Sequence, residues 1–238
     1  MTIEMPTVIL VEPQNPANIG FVARALDNFG AAGWAQIRGA DWRNSEAERT
    51  GAPALHRLEK LKLTHTWDDG VAKCTHLIAL TARAGRHREC QPLERLGEYR
   101  RKWGSHAKVG LVFGREDRGL EADEVDRCTI CMTIPTINLS SLNLSHAVAT
   151  TLYEWNRTRD GEAERSEDRT SENQLSWATA QSRQRLMQKF REELKHMQFP
   201  SANTELEDLL RRLESMSIET RDLRVLERII RHARHLRS

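Results

Sequence analysis

The chain has 238 residues and a mass of 27.3 kDa, with 39% hydrophobic and 29% charged residues, a globular balance that excludes a disordered or fibrous protein. Its 36 lysines and arginines against 34 acids leave a net charge of +2, which alone implies no partner. Four cysteines are too few for a secreted disulfide scaffold, Met1-Thr2-Ile3-Glu4 shows no charged-then-apolar leader, and no apolar run approaches the ~20 residues that cross a bilayer, so a reduced, soluble, cytoplasmic protein is expected.

In chain order, Thr7–Glu12, Trp34–Arg38, His76–Thr81, Val109–Phe113 and Thr129–Ile134 are continuous apolar runs of strand length. Such runs alternating with helical patterns predict a parallel sheet buried on both faces, an α/β fold. The first helix follows Pro13 and Pro16, carries Ile19, Val22, Ala23, Leu26 and Phe29 on one face, and ends at Gly30. A later helix runs from about Asn143 to Trp155. Residues 1–157 form the expected α/β domain, and residues 158–182, poor in large apolar side chains at first, form a linker. Residues 183–238 form a helical extension of three amphipathic helices, with Pro200 and Ser217 near the breaks. Within it Arg221, Arg224, Arg228, Arg231, Arg234 and Arg237 face only Asp222 and Glu227, a basic stripe that is either a solvated face or an RNA-facing one.

Parallel α/β sheets bind ligands beyond the carboxyl ends of their strands. Three polar clusters fall there: Asn15-Pro16-Ala17-Asn18-Ile19-Gly20 with Arg24, then Phe113-Gly114-Arg115-Glu116-Asp117-Arg118-Gly119-Leu120, then Ser140-Ser141-Leu142-Asn143-Leu144-Ser145. Each has a plain reading as a cap or a turn. No G-x-G-x-x-G follows the first strand, no Gly-Lys-Ser/Thr ends a phosphate loop and no G-x-S-x-G frames a nucleophile. The spacing Cys128-Thr129-Ile130-Cys131 falls inside an expected strand without a second pair, so no metal is expected.

Taken together, N-I-G-x-x-x-R (Asn18–Arg24), L-V-F-G-R-E-x-x-G-L (Leu111–Leu120) and I-P…S-S-L-N-L-S (Ile134–Ser145) resemble the three ordered motifs of the SPOUT-class (SpoU/TrmH-like) 2′-O-ribose RNA methyltransferases, and among them the TrmJ-type tRNA enzymes. The resemblance covers roughly residues 6–157. It implies a parallel sheet closed by a C-terminal trefoil knot, a homodimer with the site completed across its interface, and S-adenosylmethionine held by Leu80, Thr81, Ala82, Gly114, Ile134, Ser140, Ser141 and Leu142. The matching catalytic positions are Asn18, Arg24, Glu116, Ser141 and Asn143.

Methyl transfer from a sulfonium needs a positioned nucleophile and no metal. Arg24 as general base would have to lose a proton held with a pKa above ~12, so binding the target phosphate and stabilising the developing alkoxide suit it better. RNA affinity is expected from Arg24, Arg83, Arg86, Arg88 and Arg115, from Arg100, Arg101 and Lys102, and from the C-terminal stripe. The implied function is methylation of a tRNA ribose 2′-OH, at the pyrimidine of anticodon-loop position 32. The alternatives are ribosomal RNA, another tRNA position, or a non-catalytic knotted RNA-binding module. One departure is Asn138-Leu139, where related tRNA enzymes often carry an aromatic residue before the Ser-Ser-Leu-Asn turn.

Overall fold

A computed structural model describes residues 4–82, 89–139, 141–163, 176–197 and 204–235. The elements run β1 (Thr7–Val11), α1 (Pro16–Phe29), β2 (Gly33–Ile37), α2 (Ser45–Gly51), α3 (Leu55–Leu58), β3 (Lys62–Thr64), α4 (Trp67–Val71), β4 (His76–Leu80), β5 (Gln91–Pro92) and α5 (Leu96–Trp103). Then follow β6 (Val109–Phe113), α6 (Ala122–Asp126), β7 (Ile130–Thr133), α7 (Leu144–Ala163), α8 (Ala180–His196), α9 (Thr204–Ser215) and α10 (Thr220–His235). Among the described residues, seven strands form one sheet in the order β3-β2-β1-β6-β4-β7-β5, with every pair parallel.

Period-two alternation divides the apolar strands between two cores. Val8, Leu10, Ile78, Leu80, Leu111 and Phe113 pack against α1, α5 and α7 through Ile19, Leu26, Leu96, Trp103, Val148 and Trp155. Ile9, Val11, Leu77, Ala79 and Val112 face the other way, onto Trp67 and Val71 of α4, Val125 of α6 and Ala180 at the start of α8. The five strands legible as apolar runs are present; β3 and β5 are additional edge strands. The helix expected to end at Trp155 continues to Ala163.

The order places β1 beside β6, β6 beside β4, and β4 beside β7. The chain segments leaving these four strands therefore lie side by side, although they are far apart in sequence. Two non-glycine residues with positive φ mark the exits of β1 and β2, Glu12 at 47° and Arg38 at 55°, a conformation that costs free energy unless its surroundings hold it. Here the Glu12 carboxylate bridges Arg38 at 2.5 Å and Arg115 at 2.6 Å.

The helical extension is docked at the opposite ends of the strands. Residues 176–179, inside the stretch read as linker, are already packed: Trp177 Nε1 donates to Trp103 O and Ala180 N to Cys74 O. Arg183 is 1% exposed. Its guanidinium donates to the carbonyls of Thr75, Ala178 and Glu214, joining the amino end of β4 to the extension. The extension has its own small core of Leu186, Met187, Leu210, Leu223 and Ile230.

The cysteines depart from the reduced state expected above. Cys90 and Cys131 form a disulfide that ties the segment before β5 to β7. Cys74 is buried, and burial pushes its thiol up to about 12.

His76, fully buried, stacks on Trp103 with ring centroids 4.4 Å apart and meets Trp177 edge-on at 5.0 Å. Burial lowers its pKa to about 3, with the nearby Arg183 charge adding to the effect. The imidazole is thus neutral in the folded chain, while the unfolded chain takes up a proton below about pH 6.5. This stabilising contribution is complete above pH 6.5 and lost as pH falls toward 3. Between pH 5.5 and 4, wild type should lose about 1.4 kcal/mol per pH unit more than His76→Gln, measured by denaturant titration; parallel pH profiles would contradict the burial of a neutral histidine.

Candidate active site

The site is organised around a carboxylate. Glu116 follows β6, and its Oε2 accepts from Gln14 N at 2.7 Å while its Oε1 accepts from Asn15 N at 3.1 Å and from Asn18 Nδ2 at 2.9 Å. Asn18 is 4% exposed on the first turn of α1. Its Oδ1 accepts from Asn143 Nδ2 at 2.9 Å, and Asn143 Oδ1 in turn accepts from Ser145 N and Ser145 Oγ. One chain of hydrogen bonds thus runs through all three polar clusters. An amide that donates at one end and accepts at the other is the side chain such a relay needs. Asn15 also caps α1, accepting from Ala17 N.

These groups line an open cleft of about 620 Å³ with Gln14, Asn15, Pro16, Asn18, Glu46, Glu116, Ser141, Leu142 and Asn143. The volume falls within the range of small-molecule sites, roughly 300–1,000 Å³. Of the expected catalytic residues, Asn18, Glu116, Ser141 and Asn143 are brought together here. Arg24 is not: it projects from α1 beside the exposed Phe21, outside the cleft lining and without an ion pair among the described residues. The described lining residues contribute two carboxylates and no cation.

The positions expected to hold a cofactor lie at neighbouring strand ends. Leu80 closes β4, Thr81 N donates to Met132 O of β7, and Ile134 packs partly buried just beyond β7. Gly114 opens the loop after β6, where Arg115 and Gly119 exchange backbone hydrogen bonds. A Cβ on Gly114 would collide with the Gly119 and Leu120 backbone, so only glycine lets the loop close this tightly. Ala82 is exposed, and Leu142 sits in the cleft. Ser140, Arg83, Arg86 and Arg88 lie outside the described residues.

Two expected RNA contacts are corrected. Arg115 is 6% exposed and occupied by acids, donating Nε to Glu12 at 2.6 Å and its two terminal nitrogens to Glu124 at 3.0 and 3.1 Å. Paired in this way its guanidinium is held well above the ordinary arginine range, and Glu12 is held below the ordinary carboxylate range. Arg115 braces the Gly114–Gly119 loop and presents no surface to RNA. Arg100 is buried over the Trp155 ring at 4.3 Å and donates to Trp155 O and Thr158 Oγ1. By contrast Arg101 and Lys102 are exposed, as are Arg224, Arg228 and Arg231 on one face of α10, while Arg234 pairs with Glu192 and Glu193. Arg237 lies outside the described residues.

Sequence reasoning did not single out Gln14, Glu46, Glu12 or Glu124. Only the spacing of Glu121, just before α6, and Glu124, within its first turn, which form a capping box, carried a local signal.

Replacing Glu116 by Ala strands three N–H donors at once. The variant should lose about 1–3 kcal/mol of stability, read as a lowered denaturant midpoint. An unchanged midpoint would show that the carboxylate does not hold the three clusters together.

Known proteins share both the sequence pattern and the fold. The tRNA (cytidine-2′-O-)-methyltransferase TrmJ of Methanocaldococcus jannaschii is 34% identical over 156 residues, covering 63% of this chain and 66% of that protein. The tRNA (cytidine/uridine/adenosine-2′-O-)-methyltransferase TrmJ of Pseudomonas aeruginosa is 28% identical over 193 residues, covering 77% and 65%. The match thus spans less than two thirds of these relatives' own length. The crystal structure of TrmJ from Zymomonas mobilis superposes with a TM-score of 0.79 at 26% identity, covering 95% of this chain and 98% of that one. The SpoU methyltransferase AviRb of Streptomyces viridochromogenes, solved in complex with AdoMet, shares the fold at a TM-score of 0.54 and 20% identity, over 68% of this chain and 63% of that one. Residues 5–153, well over half of the chain and the whole of the sheet and cleft, match the model of the SpoU rRNA methylase family, to which this chain belongs.

Proposed function

We propose that this chain is an S-adenosylmethionine-dependent methyltransferase acting on a ribose 2′-OH of tRNA, at the pyrimidine of anticodon-loop position 32. The observation that carries the reading is the relay Glu116–Asn18–Asn143–Ser145, which joins three remote motifs around a cleft of nucleoside size. The tRNA methyltransferases it matches in sequence support the substrate class. In this reading S-adenosylmethionine lies at the neighbouring ends of β4, β6 and β7, where the loop after β6 closes too tightly for any residue but glycine at Gly114; a protein of the same fold, solved in complex with AdoMet, supports the identity of the cofactor. When bound, it supplies an electrophilic methyl group on a sulfonium. We also infer that the segment from β7 into α7 is threaded as a trefoil knot, a rare exception among folds. The parallel order β6-β4-β7 and the return of α7 onto α1, where Asn156 Nδ2 donates to Phe29 O, support this threading.

In this reading Ser141 and Asn143 orient the ribose, while Asn18 and Glu116 hold the wall of the cleft rigid. Glu116 already accepts three hydrogen bonds and serves as a structural anion. Arg24 of a second copy binds the target phosphate bidentately and stabilises the developing alkoxide. A cleft lined by two carboxylates needs such a cation from outside. The apolar side chains exposed nearby, Phe21 on α1, Ile137, Leu139 and Leu142 before α7, and Tyr153 on α7, supply a surface for a homodimer. Arg101, Lys102 and the α10 arginines contact RNA phosphates, and the enzyme works in the cytoplasm.

The test is transfer of a labelled methyl group to total tRNA and, separately, to ribosomal RNA, the polymer named in the family description, with nucleoside mass spectrometry of the product. The reading expects 2′-O-methylpyrimidine in tRNA. Arg24→Ala and Asn143→Ala should each abolish transfer, and mixing the two proteins should restore part of it, because a mixed dimer contains one intact site. Label confined to ribosomal RNA would overturn the substrate, and no recovery on mixing would overturn the shared site. Binding of tRNA should also weaken steeply between 50 and 200 mM salt, by a factor set by the number of phosphate contacts; a flat response would exclude the basic patches.

A further inference from the structure

The cleft holds a second carboxylate that the relay does not use. Glu46 is the second residue of α2, and its backbone is pinned: its N–H donates to the Asn44 cap at 2.9 Å, and its carbonyl lies 2.9 Å from Thr50 Oγ1, which also reaches Ala17 O at 3.0 Å. Below it α2 meets α1 where Gly20 and Gly51 touch with no room for a Cβ on either. Glu46 therefore stands at a fixed place relative to Asn15 and Asn18. Its side chain makes no hydrogen bond or ion pair among the described residues, although it borders the same cleft as Ser141 and Asn143.

An acid in the first turn favours the helix dipole, but Glu48 lies in the same turn and away from the cleft lining. At the rim of a cleft that admits RNA, a fixed anion repels phosphate and the carbonyl oxygens of bases. It welcomes only a hydrogen-bond donor. On the Watson–Crick edge the exocyclic amino group, N4 of cytosine or N6 of adenine, is such a donor, whereas uracil carries the acceptor O4 at that position and keeps only its ring N3–H as a donor.

We propose that Glu46 reads the base of the methylated nucleotide, accepting an N–H from its exocyclic amino group and so favouring cytidine over uridine. The assignment rests on the methyl-transfer reading given above and deepens it. Ser141 and Asn143 hold the ribose on one wall, and Glu46 stands on the α2 side of the same cleft.

The test uses two tRNA transcripts identical except for C or U at the nucleotide that is methylated, with kcat/KM measured on each for the full chain and for Glu46→Gln. The carboxamide keeps the size of the side chain and presents either a carbonyl to N4 or an N–H to O4. Wild type is expected to prefer C by about tenfold, and Glu46→Gln to bring the two substrates to near parity, with the same affinity for S-adenosylmethionine and the same melting temperature. Because the result is a ratio of two substrates on one protein, a purely structural effect on folding does not move it. Transfer to both transcripts with the C-to-U ratio unaltered by the substitution, or a wild type without preference, would overturn the role of Glu46 and leave the methyl-transfer reading standing. No transfer to either transcript would overturn both.

Discussion

The hydrogen bonds around Glu116 are the constraint on which the site depends. Three N–H groups, two from the backbone between β1 and α1 and one from Asn18, converge on one carboxylate that the chain places more than ninety residues later. Charge-assisted bonds of this kind are about twice as strong as neutral ones. They fix the start of α1 against the end of β6. Asn18 then passes the constraint to Asn143, and Asn143 to the first turn of α7. What makes this possible is the sheet, because β1 and β6 are neighbours only through the order of the strands. The cleft is a consequence: its walls are the segments that the relay joins.

A second charged cluster holds the other side of the same loop. Arg115, buried between Glu12 and Glu124, keeps the Gly114–Gly119 turn closed and compensates the positive-φ backbone at Glu12. A buried arginine is tolerated here because its Nε meets Glu12 and its terminal nitrogens meet Glu124; stripping it of both acids would leave a buried charge alone, which costs several kcal/mol, roughly 3–5. Far from the cleft, Arg183 does a related job with carbonyls alone, docking the helical extension on the amino end of β4. The extension therefore grows from the end of the strands opposite the cleft, and its exposed arginines on α10 present a surface distinct from the chemistry.

Much of this was legible in the sequence. Thr7–Val11, His76–Leu80 and Val109–Phe113 are buried on both faces, and that burial writes itself as continuous apolar runs. The edge strands β3 and β5 were not legible. Leu63 of β3 is exposed, and Gln91-Pro92 is two residues long, so neither carries a pattern. Asn18, Glu116, Ser141 and Asn143 stood out through motif order and do share one cleft. Charge alone misled at Arg115 and Arg100, because a sequence shows that an arginine is present but not that Glu12, Glu124 or the Trp155 ring receives it. The pairing of Cys90 with Cys131, 41 residues apart, depends on β5 lying beside β7, which no local pattern reports. Glu46 looked like one surface acid among many until α2 was seated on α1.

Glu116 and Asn143, which do not touch, act as one unit through Asn18. The direct measurement is a double-mutant cycle on S-adenosylmethionine affinity, using Glu116→Gln, Asn143→Ala and the pair, in the Asn18 protein and again in Asn18→Ala. A coupling of at least about 0.5 kcal/mol is expected with Asn18 present, and additive effects without it. Additive effects in both backgrounds would mean that the three motifs meet at the cleft without holding one another in place.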